Sequence, residues 1–208
     1  MKTLCLASSS RYRKSLLTRL GFAFDACPPA CDEEVAKAAF FQKAGCSRNS
    51  LQLSQASELA LHLAEEKASS LKKQFDVIIG SDQICFSENA ILGKPGSREK
   101  AIQTLMQLAG KTHYLLTAVS VIHNGAVFKS WLHQAKLQMR ALTLVEAEES
   151  VDRDSSLDSA GAYKLEKSGI ALMDQIECSD WTGIEGLPLI ELRKCIVPLG
   201  PFSKGINS

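Results

Sequence analysis

One acidic residue, Asp82, lies where it could hold a divalent cation or accept a proton from water. It follows a short apolar run at residues 76–80, which predicts a buried strand ending near Gly80. Ligands gather at such strand ends in α/β folds. Lys94 follows in a Gly-Lys-Pro turn, where a fixed ammonium group suits a phosphate. The alternative interpretation is an ordinary surface aspartate and lysine on a hairpin.

A serine-rich turn near the N-terminus is a second candidate site, in this case for phosphate oxygens. Ser8 and Ser9 lie between a predicted strand at residues 3–7 and a predicted helix, with Arg13 and Lys14 close behind. A helix start offers unpaired N–H groups, and arginine binds phosphate bidentately. The alternative is a serine N-cap followed by a solvated basic turn. A serine hydrolase would need a partnering histidine, and no histidine lies in a recognisable triad context.

Composition and charge argue against two classes of partner. Hydrophobic residues make up 45% of the 208 residues, which is typical of a globular protein with a sizeable core. The net charge is only +1 and aromatic residues are few, so we expect no binding of nucleic acid. No apolar run is long enough to span a bilayer, and the N-terminus lacks a signal-peptide core. We expect no membrane partner and a cytoplasmic location.

The seven cysteines are scattered along the chain, and their number is odd. No pair has the C-x-x-C spacing of a redox or zinc motif. Cys27 and Cys31 could be read as a metal-binding pair, but a structural zinc site needs four ligands and no second pair accompanies them. Reduced thiols in a reducing compartment are the preferred interpretation.

Strand and helix signals alternate along the chain and predict an α/β fold with a mixed central sheet flanked by helices. Leu16, Leu17 and Leu20 share one face of a first helix that stops at Gly21. Asn124-Gly125 between apolar runs predicts a β-hairpin. Further strands are predicted at residues 22–27, 114–122, 126 onward and 170–176, and further helices at 57–73, 97–109, 144–152 and from 188. Residues 33–56 give only mixed helix signals.

Seven short motifs occur in a specific order: LASSSRYRKSLL, CDEE, LAEEKA, IIGSDQ, LGKP, SAGAYKLEKSG and GLPL. Together they resemble the Maf family of house-cleaning nucleotide pyrophosphatases over nearly the whole chain. The resemblance implies an elongated fold similar to that of the inosine triphosphate pyrophosphatases. In that fold a single domain, here residues 1–208, forms two lobes around a central cleft. It also implies hydrolysis of a nucleoside triphosphate to a monophosphate and diphosphate, with a divalent cation (Mg²⁺, Mn²⁺ or Co²⁺).

The resemblance assigns roles to individual residues. Asp82 falls on the family's catalytic carboxylate, and Glu33 falls on a second carboxylate expected to share the metal with it. Lys67 and Lys94 fall on lysines that would offset charge developing on the phosphates. The N-terminal motif places substrate-binding candidates at Ser8 or Ser9 and at Arg13, with the adjacent Lys14 as a further candidate.

Three positions indicate which nucleotide is taken: Tyr12, Gln83 and Glu166. They resemble the branch of the family that acts on 7-methylguanosine triphosphate rather than on thymidine and uridine triphosphates. A 7-methylated guanine is positively charged, so Tyr12 could stack on it by a cation–π contact. Glu166 could accept hydrogen bonds from its N1–H and N2–H₂ edge. The alternative for Glu166 is a surface salt bridge with Lys164 or Lys167.

The sequence departs from the family pattern at several places. Arg11 replaces a usual proline, the segment around residues 36–56 is longer, Asp180-Trp181 stands before the last motif, and Glu185 replaces an apolar residue. These departures bear on the exact substrate more than on the reaction. Two rival functions stay open: a thymidine or uridine triphosphate pyrophosphatase, and a non-catalytic regulator of septum formation that binds a division protein. The oligomeric state also stays open, although small enzymes are often homodimers.

Overall fold

The computed structural model describes residues 2–203, in which strands and helices alternate. The strands are β1 (Lys2–Ala7), β2 (Asp25–Cys27), β3 (Val77–Ser87), β4 (Ala90–Leu92), β5 (Thr112–His123), β6 (Ala126–Met139), β7 (Met173–Glu177) and β8 (Phe202–Ser203). The helices are α1 (Arg11–Thr18), α2 (Glu33–Ala44), α3 (Leu53–Ser69), α4 (Arg98–Leu108), α5 (Leu144–Asp154), α6 (Trp181–Ile184) and α7 (Leu189–Ile196). None of these helices is long and apolar enough to cross a membrane.

The strands form a mixed sheet in the order β2-β1-β3-β5-β6-β7, with β4 also paired to β3 and β8 to β1. β1 runs parallel to β2, β3 and β8. The pairs β3–β4, β3–β5, β5–β6 and β6–β7 are antiparallel. The α/β class with a mixed central sheet, predicted from the sequence, is confirmed.

The sheet opens beside the middle of β3. Residues 77–80 of this strand pair with β1, and residues 85–87 pair with β4 on the same side. Residues 81–84 therefore have a strand neighbour on one side only, which is β5. Asp82 and Gln83 lie at this opening, so the geometry of the strands rather than a loop places them at a crevice.

The prediction that the strand ends near Gly80 is wrong. β3 continues to Ser87, and Asp82 lies within it rather than after its end. The physical reason is the apolar run that follows, in which Ile84 and Phe86 are buried and maintain pairing with β5. The strand that does end at this point is its neighbour β1, at Ala7.

Gly80 allows α3 to approach β3 very closely. The helix buries a stripe at three- and four-residue spacing, as expected for one face of an amphipathic helix. A Cβ atom placed on Gly80 would lie 2.1 Å from the carbonyl oxygen of Ala64 and 2.9 Å from the Cβ of Ala68. Any larger residue would push the helix away. Lys67 lies on the same face of α3, so this close approach sets its distance from β3.

Helix α2 begins and ends with clear capping geometry, although its sequence gave only mixed signals. The Asp32 side chain accepts hydrogen bonds from the backbone N–H groups of Glu34 and Val35, and Gly45 ends the helix with φ of 62°. No residue of α2 is fully buried. Since hydrophobic periodicity comes from a buried face, this exposed helix carries little of that signal.

Other boundaries differ from the predictions by a few residues. The hairpin at Asn124-Gly125 is confirmed, with both residues at positive φ. β2 begins at Asp25 rather than at residue 22, and α3 begins at Leu53 rather than at residue 57. β7 begins at Met173, because Gly169–Leu172 form a 3₁₀ turn before it. The short helix α6 was not predicted, since four residues are too few to show periodicity.

The seven cysteines are all free, and none of them forms a disulfide. Across residues 2–203, no group of three or more histidine, cysteine, aspartate or glutamate side chains is placed to hold a metal ion. Cys27 and Cys31 therefore do not belong to a four-ligand zinc site in this part of the chain.

A buried histidine makes the stability of the fold depend on pH. His113 is fully buried, and its Nε2 lies 2.7 Å from the hydroxyl of Tyr163. Burial lowers the pKa of His113 from 6.5 to about 4, against a smaller opposing effect of the Lys111 backbone. The unfolded chain binds this proton below about pH 6.5, whereas the folded chain does not. The stabilisation is therefore complete above pH 6.5 and is lost as the pH falls toward 4.

We expect the free energy of unfolding to fall by about 2 kcal/mol from this one histidine between pH 7 and pH 5. Urea denaturation at the two pH values would measure the drop, which should shrink by that amount in His113→Gln. His62→Gln, at a half-buried histidine on α3, is the matched control and should retain the wild-type drop. Burial also lowers the pKa of His133. This adds a decrease in the free energy of unfolding at low pH to the wild type and to both variants alike. An equal drop in His113→Gln and wild type would contradict the prediction.

Candidate functional site

A cavity of about 470 Å³ opens at the gap in the sheet beside β3. A neighbouring cavity of about 400 Å³ continues from it along the serine-rich turn. The larger cavity is lined by eight of the residues predicted from the sequence: Tyr12, Arg13, Glu33, Lys67, Asp82, Gln83, Lys94 and Glu166. Ser8 and Ser9 line the smaller one. Segments far apart in the sequence thus meet at one place.

The buried ammonium of Lys67 lies between two carboxylates. Its Nζ is 2.5 Å from Oδ1 of Asp82 and 2.8 Å from Oε2 of Glu33. Lys67 and Asp82 are both at least nine-tenths buried, while the Glu33 side chain is 40% exposed. A buried ion pair of this kind is costly unless each charge is compensated, so removing one partner leaves the others unpaired.

Glu33 is ionised throughout the physiological range. Partial burial raises its pKa, but the ammonium groups of Lys67 and Lys37 outweigh that effect and bring the pKa to about 2. Lys37 lies one turn further along α2 and reaches Glu33 at 2.7 Å. Two lysines thus hold this carboxylate in its charged form.

Two carboxylate oxygens facing one cation position form a suitable donor set for a divalent metal. Oxygens of Glu33 and Asp82 both point at Lys67, so both are within reach of a small cation placed beside it. Mg²⁺ characteristically takes one or two carboxylates together with water and substrate phosphates. The residues present therefore fit such an ion, although the pair alone does not complete a protein cage.

The serine-rich turn lies between β1 and α1, as predicted. Ser10 is the N-cap of α1, with its Oγ accepting from the backbone N–H of Arg13. The Oγ of Ser8 accepts from the backbone N–H of Ser10, which leaves Ser9 exposed to solvent at the rim. The alternative of a serine N-cap is therefore correct for Ser10, while Ser8 and Ser9 still line the smaller cavity.

Arg13 lines the cavity, and a hydrogen bond to a residue far along the sequence fixes its side chain there. Its Nε donates a 3.0 Å hydrogen bond to the carbonyl oxygen of Gly186. Desolvation lowers the pKa of the guanidinium, and the nearby charges of Asp82 and Glu33 oppose that shift. Lys14, by contrast, is exposed on α1 and lines neither cavity. It follows Arg13 directly, and consecutive residues of a helix point in different directions.

The amide of Gln83 is held by three acceptors. Its Nε2 donates to the carbonyl oxygen of Ile184 at 2.9 Å, to that of Gly183 at 3.1 Å, and to Oγ1 of Thr117 at 2.9 Å. The hydroxyl of Thr117 in turn donates to the carbonyl of Gly183 at 2.8 Å. Gln83 is thereby fixed against the segment at residues 183–184 on one side of the cavity.

The ring of Tyr12 already has two cationic neighbours. The guanidinium carbon of Arg11 lies 4.9 Å from the ring centroid, and Nζ of Lys164 lies 5.6 Å from it. Arg11 also donates to the Tyr12 hydroxyl at 2.8 Å. Of these two neighbours, Arg11 is exposed and Lys164 is buried, so Arg11 is the one that a cationic base could replace on this ring.

Glu166 is not a salt-bridge partner of either neighbouring lysine. Lys164 pairs with Asp158 at 2.6 Å, and Lys167 donates to the backbone oxygen of Asp154 at 2.7 Å. Within the described part of the chain Glu166 makes no ion pair, and it lines the cavity as an exposed carboxylate. The surface salt-bridge alternative is wrong for this residue.

Several further lining residues had no site role predicted from the sequence, among them Ser10, Arg48, Asp158, Tyr163 and Glu185. Arg48 comes from the longer segment whose signals were mixed, and it approaches Gly93 beside Lys94. Glu185 did carry a signal, since it is a carboxylate where the family pattern has an apolar residue. A charge in place of a hydrophobic residue next to a motif is a pointer toward the site.

A protein-family model described as Maf-like protein matches residues 3–198. The chain belongs to the Maf family. Among Maf relatives, a "7-methyl-GTP pyrophosphatase" of Bdellovibrio bacteriovorus is 42% identical over 195 residues, covering 94% of this chain and 96% of the relative. A "7-methyl-GTP pyrophosphatase" of Xanthomonas axonopodis pv. citri is 38% identical, with 96% and 98% covered. A "Nucleoside triphosphate pyrophosphatase" of Nitrobacter hamburgensis is 35% identical, with 92% and 91% covered.

Among solved structures, a HAM1 protein from Coxiella burnetii matches this Maf chain with a TM-score of 0.38 and 12% identity. The match covers 67% of this chain and 73% of the other. The site of this Maf protein combines two carboxylates that both contact one buried lysine, further cations at Arg13 and Lys94, and a fixed side-chain amide. Such a set can bind polyphosphate oxygens and place a water molecule for attack at phosphorus.

Proposed function

We propose that this Maf protein hydrolyses a nucleoside triphosphate to the monophosphate and diphosphate, with 7-methylguanosine triphosphate as its preferred substrate. The observation that carries the proposal is the arrangement of Asp82, Lys67 and Glu33 on the floor of a nucleotide-sized cavity. The names of the relatives from Bdellovibrio and Xanthomonas support the choice of substrate. The relative from Nitrobacter carries the broader name and supports the reaction class.

In this proposal Asp82 orients and deprotonates the water that attacks phosphorus. Lys67 holds the Asp82 carboxylate in place through a short hydrogen bond in a buried setting. Arg13 and Lys94, which line both cavities, offset the charge that develops on the phosphate oxygens. A divalent cation, when bound by Glu33 and Asp82, would supply further charge neutralisation at the phosphates.

The base is proposed to lie between Tyr12 and Gln83, with Glu166 at its hydrogen-bonding edge. All three residues line the same cavity. The positive charge of a 7-methylated purine favours contact with an aromatic face and a carboxylate together. In this arrangement the base displaces Arg11 from the face of Tyr12.

We also propose that residues 1–208 form one domain with a lobe on either side of the cavity, although Met1 and residues 204–208 lie outside the described residues. The free cysteines are consistent with the predicted cytoplasmic location, which stays a prediction. A homodimer stays open in the same way. A thymidine or uridine triphosphate pyrophosphatase and a septum regulator are the rival functions, and the next experiment separates them.

The proposal is tested by measuring diphosphate release from 7-methylguanosine, guanosine, inosine, thymidine and uridine triphosphates, with Mg²⁺, Mn²⁺ or Co²⁺. We expect kcat/KM for the methylated nucleotide to exceed that for guanosine triphosphate by about tenfold or more. Faster turnover of thymidine or uridine triphosphate would keep the reaction and overturn the substrate. Absence of turnover with every nucleotide and metal would favour the partner-binding function.

A further inference from the structure

The orientation of the Gln83 amide is determined by its neighbours. The carbonyl oxygens of Gly183 and Ile184 can only accept hydrogen bonds, so the atom of Gln83 beside them must be the NH₂ group. The hydroxyl proton of Thr117 is committed to Gly183, so this oxygen also accepts from Gln83. The carbonyl oxygen Oε1 of Gln83 is therefore left for a ligand, and it can only accept.

Glu185 lies next to this amide in the chain and lines the same cavity. Its backbone is fixed on both sides, since Ile184 accepts from Gln83 and Gly186 accepts from Arg13 and from Ser81 at 3.1 Å. The carboxylate is only partly exposed, and it makes no hydrogen bond or ion pair with any residue in the described range 2–203. A half-buried carboxylate without a partner is costly in the empty site, so a ligand that pairs with it gains from doing so.

Glu185 has one cationic neighbour, Arg19, and two anionic ones, Glu166 and Asp180. Burial raises the pKa of Glu185, Arg19 lowers it, and Glu166 and Asp180 raise it further. Glu166 and Glu185 are thus close enough to influence each other's charge, and both face the cavity. Asp180 is turned away, because its carboxylate caps α6 and accepts from Thr182 and Ile190.

We propose that Glu185 is a second specificity-determining carboxylate, which together with Glu166 and Oε1 of Gln83 forms a wall of hydrogen-bond acceptors. This wall selects a base that carries adjacent N–H donors on one edge and a positive charge on the ring. A 7-methylated guanine has both features, whereas thymine and uracil place carbonyl oxygens on either side of a single N–H. This inference rests on the proposed function, because it assumes that the cavity binds a nucleotide. It adds Glu185 to the residues proposed to recognise the base.

The test measures binding of 7-methylguanosine monophosphate and guanosine monophosphate by calorimetry, below neutral pH so that the methylated base keeps its N1 proton. Glu185→Gln keeps the shape of the side chain but removes its charge and adds a donor. We expect the preference for the methylated nucleotide to fall by about tenfold in this variant. Glu149→Gln, at an exposed carboxylate on α5, is the matched control and should keep the wild-type preference.

The outcomes separate this inference from the proposed function, because binding of the monophosphates does not require turnover. A lost preference in Glu185→Gln supports the inference even if no triphosphate is hydrolysed, in which case only the proposed function fails. A preference that stays within about twofold of the wild-type value in a folded variant overturns the inference. A wild-type protein without preference between the two monophosphates overturns it as well. The ratio of kcat/KM for the two triphosphates should follow the binding ratio.

Discussion

Replacing Asp82 with asparagine is expected to reduce kcat/KM for the preferred nucleotide by about a thousandfold while leaving the protein folded. Asparagine keeps an oxygen that can accept from Lys67, so the contact that joins α3 to β3 can persist. The variant loses the negative charge and the ability to take a proton from water. Diphosphate release at saturating divalent cation, together with circular dichroism, would separate loss of chemistry from loss of fold.

The matched control for this variant is Asp174→Asn, at an exposed aspartate on β7. It should retain wild-type turnover, because surface substitutions away from the site have small effects. Turnover of Asp82→Asn within about tenfold of wild type would contradict the assigned role. In that case Glu33 would be the next carboxylate to test, as the other one that contacts Lys67.

Replacing Gly80 with alanine is expected to lower the free energy of unfolding by about 3 kcal/mol. The added Cβ would lie 2.1 Å from a backbone oxygen of α3, and neither the helix nor the central strand can yield easily. Movement of the helix would also take Lys67 away from Asp82, so activity should fall even where the variant is folded. Urea denaturation and turnover at low temperature would measure the two effects.

Gly110→Ala is the matched control, because Gly110 has positive φ but open space around its Cβ position. It should cost only about 1 kcal/mol, from backbone strain alone. An equal loss of stability in the two variants would show that the close approach at Gly80 is not what makes glycine necessary there. Activity per folded molecule should be unchanged in Gly110→Ala.

The sequence was sufficient for the fold class and for eight of the residues that line the larger cavity. The hairpin at Asn124-Gly125 follows from local chemistry, and it is present. The motif order brought Asp82, Lys67 and Glu33 into one hypothesis, and these three are in contact. Local patterns and motif order succeed where the determining contacts lie within a few residues or within one motif.

What could not be predicted depends on contacts between distant segments. The length of β3 beyond Gly80 depends on pairing with β5, at positions 28 to 38 residues further along the chain. The burial of Lys67 depends on how closely α3 lies against β3, which hydrophobic periodicity does not report. The helix α2 has no buried stripe for a pattern to reveal. The orientation of Gln83 was equally out of reach, because two of its three acceptors lie 100 and 101 residues away.

The segment at residues 183–186 carries a further consequence for the order in which the protein is made. Its carbonyl oxygens accept hydrogen bonds from Arg13, Ser81 and Gln83. These three residues are synthesised long before the segment itself. Since the chain emerges from its N-terminus, a nascent chain shorter than this segment has the early side chains without their acceptors. The cavity is therefore completed only late in translation, after residues 183–186 have been synthesised.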